Sequence, residues 1–133
     1  DKFLYTKNEL CNKVIVLLAG RASEEIFIGE ISTGASNDIK ESTNIIYEII
    51  CNYGMGKNTQ NTCIDERFIK YYLDNIKDEA QEMTKEAYES AMAIIRENEA
   101  VVDKIAQYLL KYETMNAEKL DELMDETKKT ALI

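Results

Sequence analysis

The sequence contains no proline, no histidine and only five glycines in 133 residues. Proline and glycine are the residues that most often interrupt helices, so a chain this poor in both can form long ones. Apolar residues make up 45% and charged residues 31%, a balance typical of a folded globular domain. We therefore expect an all-α fold, a helical bundle of about five helices with one long third helix.

The cysteines and apolar runs exclude further classes of protein. Cys11, Cys51 and Cys63 lie far apart and form no C-x-x-C motif, which favours buried thiols in a reducing compartment over a disulfide or metal site. The longest apolar run, residues 14–19, is far shorter than the about 20 residues that span a bilayer. No direct membrane contact is therefore expected from this chain.

The net charge of −9 lies mostly in the second half of the chain. Residues 1–60 carry eight acids and six bases, whereas residues 61–133 carry seventeen acids and ten bases. An acidic surface repels the phosphate backbone, so we expect no nucleic-acid partner. No basic cluster offers an electrostatic membrane anchor either.

Capping and apolar spacing place the helices. Thr6 and Glu9 form a capping box that opens a helix ending near residue 27, and its apolar run suggests burial on every side. A second helix is expected over about 37–53, and a polar, turn-rich boundary over 54–63. The third helix should cover about 65–97, roughly 50 Å at 1.5 Å per residue. Its predicted face follows Phe68, Tyr72, Ile76, Ala80, Met83, Ala87, Ala91 and Ile94.

The end of the chain should form two further helices. A connector is expected at 111–115, and Asn116 should cap a short last helix. The third, fourth and fifth helices should be acidic outside and apolar inside.

Two dense motifs stand close together: residues 18–26 read LAGRASEEI, and residues 33–38 read TGASND. They resemble the peptidase domain of the FtsH-type ATP-dependent zinc metalloproteases, AAA+ proteases that carry L-x-G-R-x-A-E-E and then T-G-A-x-x-D. Weaker matches (NYGM, EAY and LKYET) follow in the same order. The resemblance identifies residues 1–133 as the C-terminal helical part of that domain, with motif-bearing helices in 1–56 and an acidic helical bundle in 64–128.

The resemblance makes Asp38 a zinc ligand, because the family holds zinc with two histidines of an H-E-x-x-H helix and the last aspartate of T-G-A-x-x-D. A catalytic zinc takes three protein ligands and keeps one position for water. From spacing alone, Asp38 is an ordinary acid in a first helical turn, where the helix dipole stabilises it by about 0.3–1 kcal/mol. Without histidine, the chain is expected to contain no catalytic residue, to bind no stoichiometric zinc and to be inactive alone.

The remaining motif residues are interpreted as structural. Arg21 and Glu25 lie four apart on one helical face, and we expect an ion pair between them. Gly20 is expected to let another backbone approach closely. Three residues leading into Asp38 are expected to shape the cleft: Thr33, Gly34 and Ala35.

One segment departs from the family. Between Gly56 and Ile64 family members usually carry a longer stretch with a Ser-Glu-Lys-Leu-Gly run, whereas this chain has only KNTQNTC at 57–63. In relatives that stretch lies near the active-site side, so the resemblance implies altered substrate handling.

The resemblance implies a fragment of an ATP-dependent zinc metalloendopeptidase that degrades unfolded or membrane proteins. The complete protein would use zinc, together with ATP and magnesium in an ATPase module outside this chain. Family members form homo-hexamers and are anchored at the cytoplasmic face of a bacterial inner membrane, or its organellar equivalent, by segments outside this chain. The alternative is a non-catalytic acidic helical module for oligomerisation or partner binding. An upstream H-E-x-x-H and Walker A motif would favour the protease.

Overall fold

The structure, a computed structural model, describes residues 4–112 and 115–131. In these two stretches every regular element is helical and no strand occurs, which confirms the all-α prediction of about five helices. None of the helices in this part of the chain is both long and apolar enough to cross a membrane. The α-helices are α1 (Lys7–Phe27), α2 (Ser36–Tyr47), α3 (Leu73–Glu97), α4 (Glu99–Tyr112) and α5 (Ala117–Ala131).

The chain divides into two compact units, Asp1–Ala93 and Ile94–Ile133. The division falls inside α3 and not in the polar segment 54–63, where the sequence suggested an internal boundary. The assignment of 1–56 and 64–128 to two segments of a family domain stays a prediction.

Segment 54–63 folds back onto the end of the α2 region. The Asn61 amide donates to the Gly54 carbonyl at 2.8 Å, and the Ile64 amide donates to the Cys51 carbonyl at 2.8 Å. Gly54 has a φ of +61°, a conformation that costs glycine little. Since Ile64 is then buried in the core of the first unit, this segment belongs to that unit.

The core of the first unit is built by α1, α2, the π-helical turn Glu48–Asn52 and the first part of α3. Burial of each large aliphatic side chain contributes about 1.5–3 kcal/mol. The buried cluster consists of Val14, Leu18, Ile46, Ile50, Ile64, Ile76, Ala80 and Ala87.

The capping box that opens α1 is confirmed. The Glu9 amide donates to the Thr6 hydroxyl at 3.1 Å, and the Thr6 amide donates to the Glu9 carboxylate at 3.3 Å. The predicted burial of α1 on every side is wrong, since Val16 is 72% exposed while Val14 and Leu18 are buried. The neighbours of α1 within its unit contact one face only.

The third helix begins later than predicted. Asp65 forms a local turn: its carboxylate accepts from the Arg67 amide at 2.9 Å, and its carbonyl accepts from the Phe68 and Ile69 amides. Such side-chain turns compete with helix formation. A 3-10 turn at Ile69–Tyr71 follows, so α3 has 25 residues and is about 37 Å long instead of about 50 Å.

The buried face of α3 also differs at both ends from the predicted one. Phe68 precedes the helix and is 44% exposed, and Ile95 is buried in place of the exposed Ile94. Steps of three and four residues from Ala91 both satisfy helical spacing, so the pattern could not choose between these isoleucines.

In the second unit, α4 runs to Tyr112, further than the predicted connector at 111–115 allowed. Two residues of the LKYET match, Glu113 and Thr114, lie outside the described residues. The predicted cap of α5 is confirmed, because the Lys119 amide donates to the Asn116 side chain at 2.8 Å. An ion pair of 3.8 Å between Lys104 and Glu126 joins α4 to α5.

Candidate functional site

Asp38 is the third residue of α2, and its side chain is exposed. In the part of the chain that the structure describes, no hydrogen bond or ion pair engages its carboxylate. The amide groups of a first helical turn lack carbonyl partners inside the helix, and they stabilise a negative charge placed there. Asp38 therefore presents an accessible oxygen donor at a fixed position on a rigid element.

The residue of α1 that faces this carboxylate is Gly20. A β-carbon added to Gly20 would lie 4.0 Å from Oδ2 of Asp38. The expectation that Gly20 admits another backbone is therefore wrong, because its neighbour is a side chain. The missing side chain of Gly20 leaves the space beside the carboxylate open.

The turn before α2 is held by Ser32. Its hydroxyl accepts from the Gly34 amide at 3.1 Å, which caps the 3-10 helix Thr33–Ala35, and it donates to the Glu24 carboxylate. The Ser32 carbonyl accepts from Nη2 of Arg21 at 3.2 Å. Two residues of α1 thus hold Ser32 through both its backbone and its side chain.

The ion pair of Arg21 differs from the predicted one. Its Nε lies 4.0 Å from Oε1 of Glu24, whereas Glu25 accepts a hydrogen bond from the Tyr88 hydroxyl on α3. Both acids lie within reach of Arg21 on a helix, at three and four residues' distance. Contacts outside the helix decide between them, since Ser32 engages Glu24 and Tyr88 engages Glu25.

The surroundings of Tyr88 disfavour its phenolate. Burial of the ring, the hydrogen bond to Glu25 and the charge of that carboxylate together raise its pKa to about 12. All these effects disfavour the phenolate. The contact ties α1 to α3 within the first unit.

The three predicted cleft-shaping residues lie in the turn that leads into α2. Thr33 and Gly34 are exposed, while Ala35 is buried with 6% exposure. An open hollow between α1, the 29–31 turn and α3 includes Arg21 and Tyr88 in its lining, but none of these three residues. Their role in shaping a cleft stays a prediction.

The described residues do not bring together a complete metal site. Residues 4–112 and 115–131 contain no group of three or more histidine, cysteine, aspartate or glutamate side chains placed to hold an ion. The whole sequence contains no histidine. Since a catalytic zinc takes three protein ligands, the carboxylate of Asp38 fits one coordination position and the chain does not complete the set.

The cysteines are more accessible than expected. Cys63 is exposed and Cys11 and Cys51 are half-buried, so the prediction of three buried thiols is wrong. Burial, followed by the nearby Cys63 and Glu48, raises the pKa of Cys51. The carbonyl of Cys51 is already used by Ile64, which makes this residue part of the fold-back of segment 54–63.

A buried acid on α3 was not anticipated, since the sequence predicted acids on the outside of this helix. Glu79 is only 3% exposed, and one of its oxygens accepts from the Lys57 amide. Its other oxygen, like the buried hydroxyl of Thr59, has no hydrogen-bond partner. Both groups pack against Gly56, at which an added β-carbon would lie 2.5 Å from the Thr59 hydroxyl.

The predictions from the sequence also did not include Ser32, nor the pairing of Arg21 with Glu24. A local signal for Ser32 existed, because serine ahead of a glycine-containing turn that leads into a helix is a common capping residue. No local signal could identify its bond to Glu24, since the two residues lie eight positions apart across a turn.

Similarity to known proteins extends over most of the chain. The model of a family described as peptidase family M41 matches residues 1–123. The ATP-dependent zinc metalloprotease FtsH 2 of Thermoanaerobacter sp. (strain X514) is 44% identical over 126 residues, covering 95% of this chain and 24% of that protein. The ATP-dependent zinc metalloprotease FtsH of Bacillus subtilis (strain 168) is 36% identical over 146 residues, covering 94% of this chain and 22% of that protein. The chain thus spans less than a quarter of these curated relatives.

The relatives differ in length over the matched region. The alignment with the Bacillus subtilis protein is 146 residues long, more than the 133 residues of this chain, so that relative carries additional residues. The alignment with the Thermoanaerobacter protein covers 126 residues and 95% of this chain, and it needs no net insertion. A shorter form therefore occurs among the relatives as well.

Proposed function

This chain belongs to peptidase family M41, and we propose that it supplies Asp38 as a zinc ligand to an ATP-dependent zinc metalloendopeptidase. The observation that carries the proposal is the accessible Asp38 carboxylate, which ends the TGASND motif at the start of α2 and lies beside Gly20. The relatives named above are called ATP-dependent zinc metalloproteases, which supports the same activity for the complete protein.

This chain's contribution is to hold one oxygen donor in place. α2 fixes the direction of Asp38, its first turn stabilises the negative charge, and Gly20 leaves the carboxylate uncovered. The other two ligands and the general base would come from an H-E-x-x-H motif outside this chain, which itself contains no histidine. Zinc, when bound, supplies a water molecule whose pKa is lowered to about 7.

The wider assignment concerns the complete protein. ATP and magnesium would act in an ATPase module outside this chain, and the substrates would be unfolded or membrane proteins. The assembly would be a homo-hexamer anchored at the cytoplasmic face of a bacterial inner membrane, or its organellar equivalent, by segments outside this chain. The acidic charge of −9 argues against nucleic acid as a partner.

The test uses the full-length protein that contains this chain. Zinc content is measured by elemental analysis, and ATP-dependent cleavage of an unfolded protein such as casein is followed on gels. We expect one zinc per chain in the wild type, and loss of both zinc and cleavage in Asp38→Asn.

Glu41→Gln provides the matched control, because it removes an exposed carboxylate one turn later on the same helix. We expect it to retain zinc and activity. Stoichiometric zinc that survives in Asp38→Asn would overturn the assignment of Asp38. A full-length protein without zinc or cleavage that still assembles would favour the non-catalytic module.

A further inference from the structure

We propose that Arg21, Glu24 and Ser32, here called the Ser32 network, position Asp38 for metal binding. The inference rests on the proposed function, because it concerns how the zinc ligand is held. In this proposal none of the three residues is a metal ligand. They act through the turn that delivers Asp38, so they are positioning residues.

The first step is that Ser32 makes three hydrogen bonds. Its hydroxyl uses its proton on Glu24 and one lone pair on the Gly34 amide, and its carbonyl receives Nη2 of Arg21. Two of these three bonds involve a charged partner, and charge-assisted hydrogen bonds are roughly twice as strong as neutral ones. A serine at this position has little freedom to rotate or shift.

The second step is that the partners are themselves held. The side chains of Arg21 and Glu24 are only 23% and 20% exposed, and their charged groups lie 4.0 Å apart on one face of α1. Reduced exposure to solvent weakens the screening of such a pair. The network therefore attaches the turn to a rigid helix and not to mobile surface side chains.

The third step is that the backbone between Ser32 and Asp38 is helical throughout. Ser32 caps the 3-10 helix Thr33–Ala35, and the amide of Ser36 bonds to the carbonyl of Thr33 as α2 begins. Ala35 is buried, which anchors the middle of this run. A displacement of Ser32 would therefore be transmitted along a continuous helical path to Asp38, six positions later.

The fourth step is that the same turn of α1 faces the carboxylate itself. Gly20, directly before Arg21, lies beside Oδ2 of Asp38. Gly20 thus leaves room for the Asp38 carboxylate. Arg21 and Glu24 hold the turn that sets the position of this carboxylate along the axis of α1. This explains why the LAGRASEEI and TGASND motifs occur together: the first motif positions the second.

The test measures zinc affinity in the full-length protein by competition with a chromophoric chelator. Loss of a group that orients a ligand typically weakens metal binding by about 10–100-fold. We expect this loss in Ser32→Ala and Glu24→Ala, together with faster amide hydrogen exchange at residues 36–38. Ser32→Thr keeps the hydroxyl and should restore wild-type affinity, which a purely structural role would not require.

Glu25→Ala is the matched control. It removes the same charge at the adjacent position of α1, but its partner is Tyr88 on α3 and not Ser32. We expect it to keep the wild-type zinc affinity, and thermal midpoints of the metal-free proteins show whether Glu24→Ala and Glu25→Ala are equally folded.

The outcomes separate the two proposals. If Asp38→Asn loses zinc while Ser32→Ala and Glu24→Ala bind it as tightly as the wild type, the Ser32 network is refuted and the proposed function stands. A Glu25→Ala affinity as low as that of Glu24→Ala would refute the network in the same way. A wild-type protein that binds no zinc would overturn both.

Discussion

Gly20 and Asp38 lie on different helices, and a β-carbon on Gly20 would stand 4.0 Å from Oδ2 of Asp38. That separation is ordinary van der Waals contact, so a methyl group fits there. Gly20 has no positive φ that would require glycine, since the glycines with positive φ are Gly29 and Gly54. Neither the backbone conformation nor the space for a methyl group therefore requires glycine at this place in α1, and the glycine leaves open space beside the carboxylate.

Two substitutions at Gly20 should act in opposite directions. Gly20→Ala should raise the free energy of unfolding by about 0.5–1 kcal/mol, because glycine is the weaker helix former and the methyl group fits. Gly20→Leu should push the Asp38 carboxylate aside and weaken zinc binding in the full-length protein. Urea unfolding followed by circular dichroism measures the first effect, and chelator competition measures the second. Unchanged zinc affinity in Gly20→Leu would contradict the proposed packing.

Replacement of Gly56 by alanine should lower the free energy of unfolding, whereas the same replacement at Gly20 should raise it. An added β-carbon would lie 2.5 Å from the Thr59 hydroxyl and 3.1 Å from Oε2 of Glu79. Both side chains are at least 96% buried, so neither can move aside freely. Overpacking of this kind costs about 1–3 kcal/mol, and Gly56→Ala should lower the unfolding free energy by that amount. Gly20→Ala in the same urea series is the control, and equal effects of the two changes would contradict this prediction.

Because of Tyr88, the free energy of unfolding should depend on pH in the alkaline range. Its pKa in the folded chain is about 12 against an ordinary value of 10.0, so both states are protonated below pH 10. Between pH 10 and 12 the unfolded state releases its proton first, and the free energy of unfolding should fall. The contribution is thus present below pH 10 and lost as pH approaches 12.

The measurement is urea unfolding from pH 8 to pH 12 of the wild type and Tyr88→Phe. The wild type should lose stability more steeply above pH 10, because phenylalanine has no proton to release. Glu25→Ala should give an intermediate slope, since burial still raises the pKa of Tyr88 after the hydrogen-bond acceptor is removed. Identical slopes for the wild type and Tyr88→Phe would show that this hydroxyl does not titrate differently in the two states.

Features set by neighbouring residues could be predicted well. The cap of α1 at Thr6 and the cap of α5 at Asn116 depend on side chains three residues from the amides they satisfy. The position of Asp38 in the first turn of α2 was predicted from apolar spacing, since no side chain caps this helix. The late start of α3 could not be predicted, because the apolar spacing typical of a helix continues through the turn at Asp65 although the helix has not yet begun there.

Composition, motif order and the absence of histidine were enough to predict the helical class, the family and Asp38 as a candidate ligand, because these features need no coordinates. The folded structure was needed to show that Arg21 pairs with Glu24, that Glu25 binds Tyr88 and that Gly20 faces Asp38. The spacing rules of a single helix permit both acids equally. The packing of α1 against the following turn and α3 selects between them, and that packing depends on contacts between residues distant in the chain.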